Sequence, residues 1–256
     1  MRAIAALLDS RDGLTALRRS LPRGAAPIVA CRSIAGLQRA LEGRLVETIV
    51  LGANLARQPE LTVLQVRYPH IPVVIFGLIR SEDAEWLLAW QRLNLAAVAV
   101  QGVDDPMLGE LVVRQSMSAR RAVALGDAPR LLRLSEPLQR RAWELLVGTM
   151  GRPPRISVLA KQLGLSREHL SRQFGAGGAP NLKRVADLLT VHAALSLLAN
   201  PGYSVNTVAA LLDFATPSHL RLVVRRITGV GLDEARALGE REVLGRFVRL
   251  SARSRH

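Results

Sequence analysis

The stretch LSREHLSRQF, residues 165–174, holds side chains suited to reading a nucleobase edge. An arginine donates to guanine O6 and N7 together, a glutamate accepts from the cytosine amino group, and a serine hydroxyl does either. If Ser166 caps a helix that begins at residue 167, then Arg167, Glu168, Ser171 and Arg172 point outward while Leu170 and Phe174 point inward. For Arg167 simple solvation or a phosphate contact serves equally well. None of these side chains does anything unless the helix is held at its N-terminal end and presented outward.

The flanking residues supply that positioning. Ala160 is small enough to let a second helix cross close by, and four residues later Gly164 offers the left-handed conformation of a tight turn. A second copy follows about fifty residues on. In TVAALLDFATPSHLRLVVRRITG, Ala209 and Asp213 stand where Ala160 and Gly164 stood, Thr216 caps, Pro217 takes the first helical position, and Leu220 turns inward. The second turn is one residue longer. Between the copies, Asn181 opens a helical stretch of about eighteen residues that Asn200-Pro201-Gly202 ends, and Ser204 opens the next. At ~1.5 Å per residue the spacer spans ~27 Å, suited to holding two recognition helices about one duplex turn, ~34 Å, apart. An earlier helix starts at Ser135 or Glu136, before PLQRRAWELLVGTM.

Two such units joined by a long helix, with Phe214 after the second turn and Gly-Val-x-x-x-x-x-Arg closing at 229–236, resemble the DNA-binding domain of the AraC/XylS family over residues 137–240. That resemblance implies double-stranded DNA as partner. It places base-reading positions at Glu168, Ser171 and Arg172 in the first unit and at Pro217, Ser218, Arg221 and Leu222 in the second. The chain departs from the pattern at Asp213, which replaces a glycine, at Val224, which replaces an aromatic, and at Leu222, where a polar residue is frequent. Pro217 and Leu222 offer no side-chain hydrogen bond, so the first unit is expected to carry most of the sequence specificity, with Arg221, Arg225 and Arg226 adding phosphate affinity or local contacts. His192 and His219 read as packing or surface residues, since neither has a partner at metal-ligand spacing.

The charge fits this placement. The chain carries 35 Lys+Arg against 21 Asp+Glu, a net +14; residues 1–130 hold 16 basic against 12 acidic, while residues 131–256 hold 19 against 9. A polyanion would sit on the second half, although a general bias toward arginine over lysine accounts for part of the excess. The tail beyond Glu240, with LGRFVRL and SARSRH, reads as a last short helix with a frayed basic end or as a non-specific phosphate grip. The single cysteine, Cys31, excludes an intrachain disulfide and a thiolate metal cage and reads as a small buried hydrophobe. No signal peptide and no apolar run of spanning length is evident, so a cytoplasmic protein is expected.

The first half has another rhythm. AIAALL, APIVAC, ETIVLG, IPVVIFG and LAAVAV are short apolar runs alternating with amphipathic stretches such as GLTALRRSL, DAEWLLAWQRLN and MLGELVVRQSMS. Five strands so spaced predict an α/β doubly wound, five-stranded parallel sheet, with any ligand crevice at the carboxyl ends of its strands. Order, spacing and the phrase LTVLQVRYPHIPVVIFG resemble the receiver domain of bacterial response regulators. The resemblance implies a phosphoacceptor aspartate at the third strand's end, a hydroxyl at the fourth's, a lysine at the fifth's and an acidic pair after the first. Here those positions hold Gly52, Gly77, Gln101 and a lone Asp9 beside Ser10. Glycine provides neither a nucleophile nor a hard oxygen ligand for Mg²⁺. Asp9 reads as a helix or turn cap within DSRDG, and the two glycines are expected to leave open space at the old site. Trp86 and Trp90, four apart, read as core or dimer-interface packing rather than a ligand-stacking pair.

The expected organisation is a receiver-like domain at 1–124 without a phosphoacceptor, a linker at 125–136, an all-α domain with two helix-turn-helix motifs at 137–240, and a basic tail at 241–256. The functional expectation is a sequence-specific DNA-binding transcription regulator independent of phosphorylation. Its first domain would dimerise or sense a small-molecule effector or partner, RNA polymerase among the candidates. An adaptor whose degenerate second motif no longer reads DNA is the alternative. A working phosphoaspartate regulator lacks its acceptor, and no catalytic set, metal site or cofactor loop is apparent.

Overall fold

The computed structural model describes residues 2–92 and 95–253, so the last two residues of the expected DAEWLLAWQRLN helix and the final three of the tail lie outside the described residues. The chain divides into two compact units, Met1–Arg120 with Asn200–Tyr203, and Arg121–Ala199 with Ser204–His256.

The first unit is the doubly wound sheet. Its strands are β1 (Arg2–Leu7), β2 (Ile28–Ala30), β3 (Leu45–Gly52), β4 (Val73–Gly77) and β5 (Leu95–Val100). All pair in parallel in the order β2-β1-β3-β4-β5, the flavodoxin-like order whose switch point lies between β1 and β3. The run ETIVLG makes a strand because every residue of β3 is buried, as a central parallel strand covered on both faces must be. LAAVAV, at the edge, is mostly half-buried.

The crossovers follow their caps. Ser10 opens α1 (Arg11–Ser20) by accepting from the Gly13 amide, and Ser33 opens α2 (Ile34–Gly43) by accepting from Gly36. A four-residue α3 (Ala53–Ala56) starts directly after β3, α4 (Pro59–Arg67) begins on its proline, and α5 (Ala84–Arg92) leads to β5. MLGELVVRQSMS breaks into α6 (Leu108–Arg114) and α7 (Met117–Ala124) because Ser116 accepts from the Ala119 amide and restarts the chain. Ile4, Ala6, Leu17, Val50, Val74, Phe76 and Val112 form the core on one side of the sheet. Trp90 is buried and donates to the Ala56 carbonyl at 2.8 Å, while Trp86 donates to Asp83 at 2.9 Å. Both tryptophans are therefore held within the unit's own packing.

The second unit is helical throughout. The division between units falls within α7, and residues 125–136 carry a helical turn, α8 (Ala128–Leu131), with Leu125, Ala128, Leu132 and Leu134 buried. Then come α9 (Pro137–Val147), α10 (Ile156–Gln162), α11 (Arg167–Phe174), α12 (Leu182–Leu198), α13 (Val205–Leu211), α14 (Pro217–Thr228), α15 (Leu232–Arg236) and α16 (Glu240–Arg253). The spacer helix α12 is the centre of this unit. Twelve of its 17 residues are buried, so it is apolar nearly all round, as a helix packed on every side must be. The expected basic tail is, up to Arg253, a helix of fourteen residues whose Val243, Leu244 and Phe247 are buried. The Arg184 guanidinium lies over the Phe247 ring at 5.4 Å. Among the described residues no helix is long and apolar enough to cross a membrane.

Candidate nucleic-acid interface

The two helix-turn-helix units are built on one plan. In the first, α10 ends at a turn where Gly164 adopts φ +70°, and the Leu165 amide returns to the Ala160 carbonyl at 2.9 Å. Ser166 then accepts from the His169 amide at 3.1 Å and opens α11. In the second, Asp213 takes φ +61° and the Phe214 amide returns to the Ala209 carbonyl at 2.9 Å. Thr216 accepts from the His219 amide at 3.1 Å, and Pro217 begins α14. The extra residue of the second turn is Ala215, inserted between that returning hydrogen bond and the cap. Aspartate at a left-handed position costs more than glycine, yet short polar residues adopt it. Here the Asp213 carboxylate is also held by an ion pair with Arg152.

The buried and exposed faces separate cleanly. Leu170 and Phe174 are fully buried on α11, whereas Arg167, Glu168, Ser171 and Arg172 are exposed. On α14, Leu220, Val223, Val224 and Ile227 are buried, whereas Ser218, Arg221, Leu222, Arg225 and Arg226 are exposed and Pro217 is half-buried. Ser218, Arg221, Leu222 and Arg225 follow the i, i+3, i+4, i+7 spacing of one helical stripe. Among the described residues, no hydrogen bond or ion pair engages the side chains of Arg167, Arg172, Arg221 or Arg225. Arg226 differs, donating to Asp187 at 2.7 Å, so of its two expected roles the local contact is the one seen. His219 lies edge-on to the Phe214 ring at 5.3 Å, and His192 is buried within α12. His192 is thus a packing residue, and His219 an exposed one resting on Phe214.

Sequence reasoning missed Gln139. Fully buried on α9, it accepts from the Glu136 amide at 3.0 Å through its carbonyl oxygen and donates through its amide to Phe174 O at 2.9 Å and Ala176 O at 3.1 Å. One side chain thus closes the capping box of α9 and holds the C-terminal end of the first recognition helix. The signal was present in Glu136-x-x-Gln139; its second use, 35 residues away, was not. The terminal arginines are also committed, since Arg246 donates to Glu242 at 3.0 Å and Arg249 does so at 2.9 Å. Those bonds hold the Glu242 carboxyl below its ordinary range, that from Arg246 contributing most. They leave Arg246 and Arg249 less available as the phosphate grip the tail suggested.

At the tip of the sheet the structure corrects one expectation. Gly52 and Gly77 do not leave open space. A Cβ on Gly52 would lie 2.6 Å from Asp9 Cγ and Oδ2, and one on Gly77 would lie 2.7 Å from the Ala53 Cβ. The Asp9 carboxylate lies over Gly52, accepting from the Asn54 amide at 3.1 Å and from Leu55 at 3.2 Å. Asp9 is a cap, as expected, but it caps α3, some 45 residues away, while Ser10 caps the helix beside it. Gln101 continues the ladder by donating its amide to Gly77 O at 2.9 Å. Beside the tip lies an open groove of about 560 Å³ lined in part by Asp9, Cys31, Arg32, Ser33, Leu55 and Gln58. Burial raises the pKa of the Cys31 thiol there.

Residues 159–237 match the family model of a helix-turn-helix domain. Among solved structures, the chain aligns with a crystal structure of full-length FixJ from B. japonicum at a TM-score of 0.37 and 13% identity, covering 82% of this chain and 97% of that one. No curated protein matches the chain. Residues 159–237 are accordingly a helix-turn-helix domain of the AraC type, and the unit before it has the doubly wound order of a receiver-like fold. By that composition the protein is a DNA-binding regulator of transcription.

Proposed function

We propose that this regulator binds double-stranded DNA through the exposed stripes of α11 and α14 and works without aspartyl phosphorylation. Its receiver-like unit would serve dimerisation or the sensing of an effector or partner. The observation that carries the reading is the pair of capped helices, each presenting arginines unengaged by other described side chains above a buried apolar face. Glu168, Ser171 and Arg172 on α11 supply hydrogen-bonding readout; Arg221 and Arg225 supply charge for phosphates. A linker near 125–136 and a DNA-binding region across 137–240 remain the proposed division of labour, with the cytoplasm as the compartment.

Phosphorylation independence rests on the strand tip. Position 52 has no carboxylate, and the nearest one, Asp9, already accepts two backbone amides. The test is DNA affinity across a salt series, with and without beryllofluoride and Mg²⁺. Six to ten phosphate contacts imply that log K falls with log salt at a slope of about −5 to −9, unchanged by the phosphoryl mimic. Salt-insensitive binding would remove the DNA reading, and a response to the mimic would remove phosphorylation independence. The adaptor reading draws on one feature, the exposed apolar Leu222, and predicts no selective binding in a gel shift against genomic fragments.

A further inference from the structure

We infer that Leu222 reads the 5-methyl group of a thymine, so that the second helix-turn-helix selects its half-site by apolar contact where the first selects by hydrogen bonds. This rests on the DNA-binding reading above and specifies what α14 recognises.

Leu222 is 63% exposed on a helix whose other large apolar side chains, Leu220, Val223, Val224 and Ile227, are at most 3% exposed. It is therefore no part of the unit's core. It sits in the middle of the stripe Ser218, Arg221, Leu222, Arg225, six residues into a helix whose N-terminal end is fixed by the Thr216 cap. That end is the part of a recognition helix that meets base edges. The flanking groups say what covers it. Arg221 and Arg225 lie on either side with no hydrogen bond or ion pair to another described side chain. An apolar protein surface closing over Leu222 would have to strip water from both guanidiniums without pairing them, which is costly. A duplex offers phosphates to the arginines and a groove floor to the leucine. On that floor the one apolar group a base presents is the thymine methyl.

Apart from Arg221, which can serve a phosphate or a guanine, the rest of the helix has little else with which to read. Pro217 carries no donor, the Thr216 hydroxyl is spent on the cap, and Arg226 is held by Asp187. Ser218 is the single uncharged hydrogen-bonding side chain on the stripe.

The experiment uses the full chain and a duplex enriched from a random pool for binding to it. Each thymine is replaced in turn by uracil, which keeps the hydrogen-bonding edge and loses only the methyl. At one position the wild type is expected to lose about fourfold in affinity, ~0.8 kcal/mol at 1.4 kcal/mol per tenfold, the value of one buried methylene-sized group. Leu222→Ala, an exposed position where folding is not at stake, should bind thymine and uracil duplexes equally. Leu222→Met should keep the difference. Sequence-selective binding with no uracil penalty at any position overturns the inference and leaves the DNA reading standing. A penalty that persists in Leu222→Ala overturns it too. Failure to bind any duplex removes the reading on which it rests and the inference together.

Discussion

Substituting Gly52 tests the remade strand tip directly. Its backbone, at φ −65° and ψ 139°, suits any residue, so the whole penalty of a side chain is spatial. A Cβ would stand 2.6 Å from two atoms of the Asp9 side chain and 2.7 Å from the Asp9 backbone nitrogen. The carboxylate can swing away, but doing so gives up its bonds to the Asn54 and Leu55 amides. Hydrogen bonds to a charged group contribute ~1.5–3 kcal/mol each, and since Asp9 is exposed the low end applies, about 2 kcal/mol for the pair after solvent competition. The backbone nitrogen cannot swing, and overpacking of this kind costs a further ~1–3 kcal/mol. Gly52→Ala should therefore destabilise the α/β unit by about 3–5 kcal/mol, a fall in its melting temperature on the order of 10 °C. In a calorimetric double-mutant cycle, Asp9→Ala should cost about 2 kcal/mol, since it loses the same two hydrogen bonds. The pair Asp9→Ala with Gly52→Ala should cost less than the sum of the singles by about 1–2 kcal/mol, because two of the three close contacts vanish. Gly52→Asp should be as destabilised as Gly52→Ala and should take no acid-labile label from acetyl phosphate. Wild-type stability in Gly52→Ala, or stable labelling of Gly52→Asp, would refute the closed tip.

Three further outcomes follow from the same geometry. Arg172→Ala should relax preference at one base pair by roughly 1–3 kcal/mol, whereas Arg225→Ala should weaken all sequences alike and reduce the salt slope by about 1, both read by titration against the enriched duplex. Asp83, buried and bonded to the Trp86 indole, the Arg80 amide and Arg57, has its carboxyl held below its ordinary value of 3.8. Its stabilising contribution is thus present above about pH 4 and fades as pH falls through the lower folded value. The gap in urea midpoint between wild type and Asp83→Asn should be widest near neutrality and close below pH 4. Phe247→Ala should destabilise the helical unit by ~3–5 kcal/mol, since α16 is part of its core although it lies beyond the matched residues 159–237.

Most of the sheet was legible because its signals are local. Short β-branched runs bounded by Gly, Pro and Ser fix strand identity, and alternation with helices dictates parallel pairing. Both recognition helices were legible for the same reason, since Gly164, Ser166, Asp213 and Thr216 act within a few residues of themselves. What escaped notice acts over distance. Asp9 is a turn residue by its neighbours, and nothing within DSRDG indicates that its carboxylate reaches the amides of residues 54 and 55. Gln139 advertises its own capping box but not the end of α11. The tail looked like a frayed basic end because its arginines dominate its composition, while Val243, Leu244 and Phe247 recur at the spacing of a buried face.

The glycines at 52 and 77 then carry a different meaning from the one their identities suggest. An absent carboxylate by itself would leave a cavity, and a cavity at a switch point invites a ligand. Instead, Asp9 takes the amides at the head of α3, and Ala53 closes against Gly77. Each glycine is required by a close approach from a neighbour, so introducing a receiver-type side chain at either position is opposed by packing as well as by missing partners. The crevice is closed as a structural joint, and open space in this unit lies at its flank. There the groove past Cys31, Arg32 and Gln58 is still open and shares Asp9 with the joint.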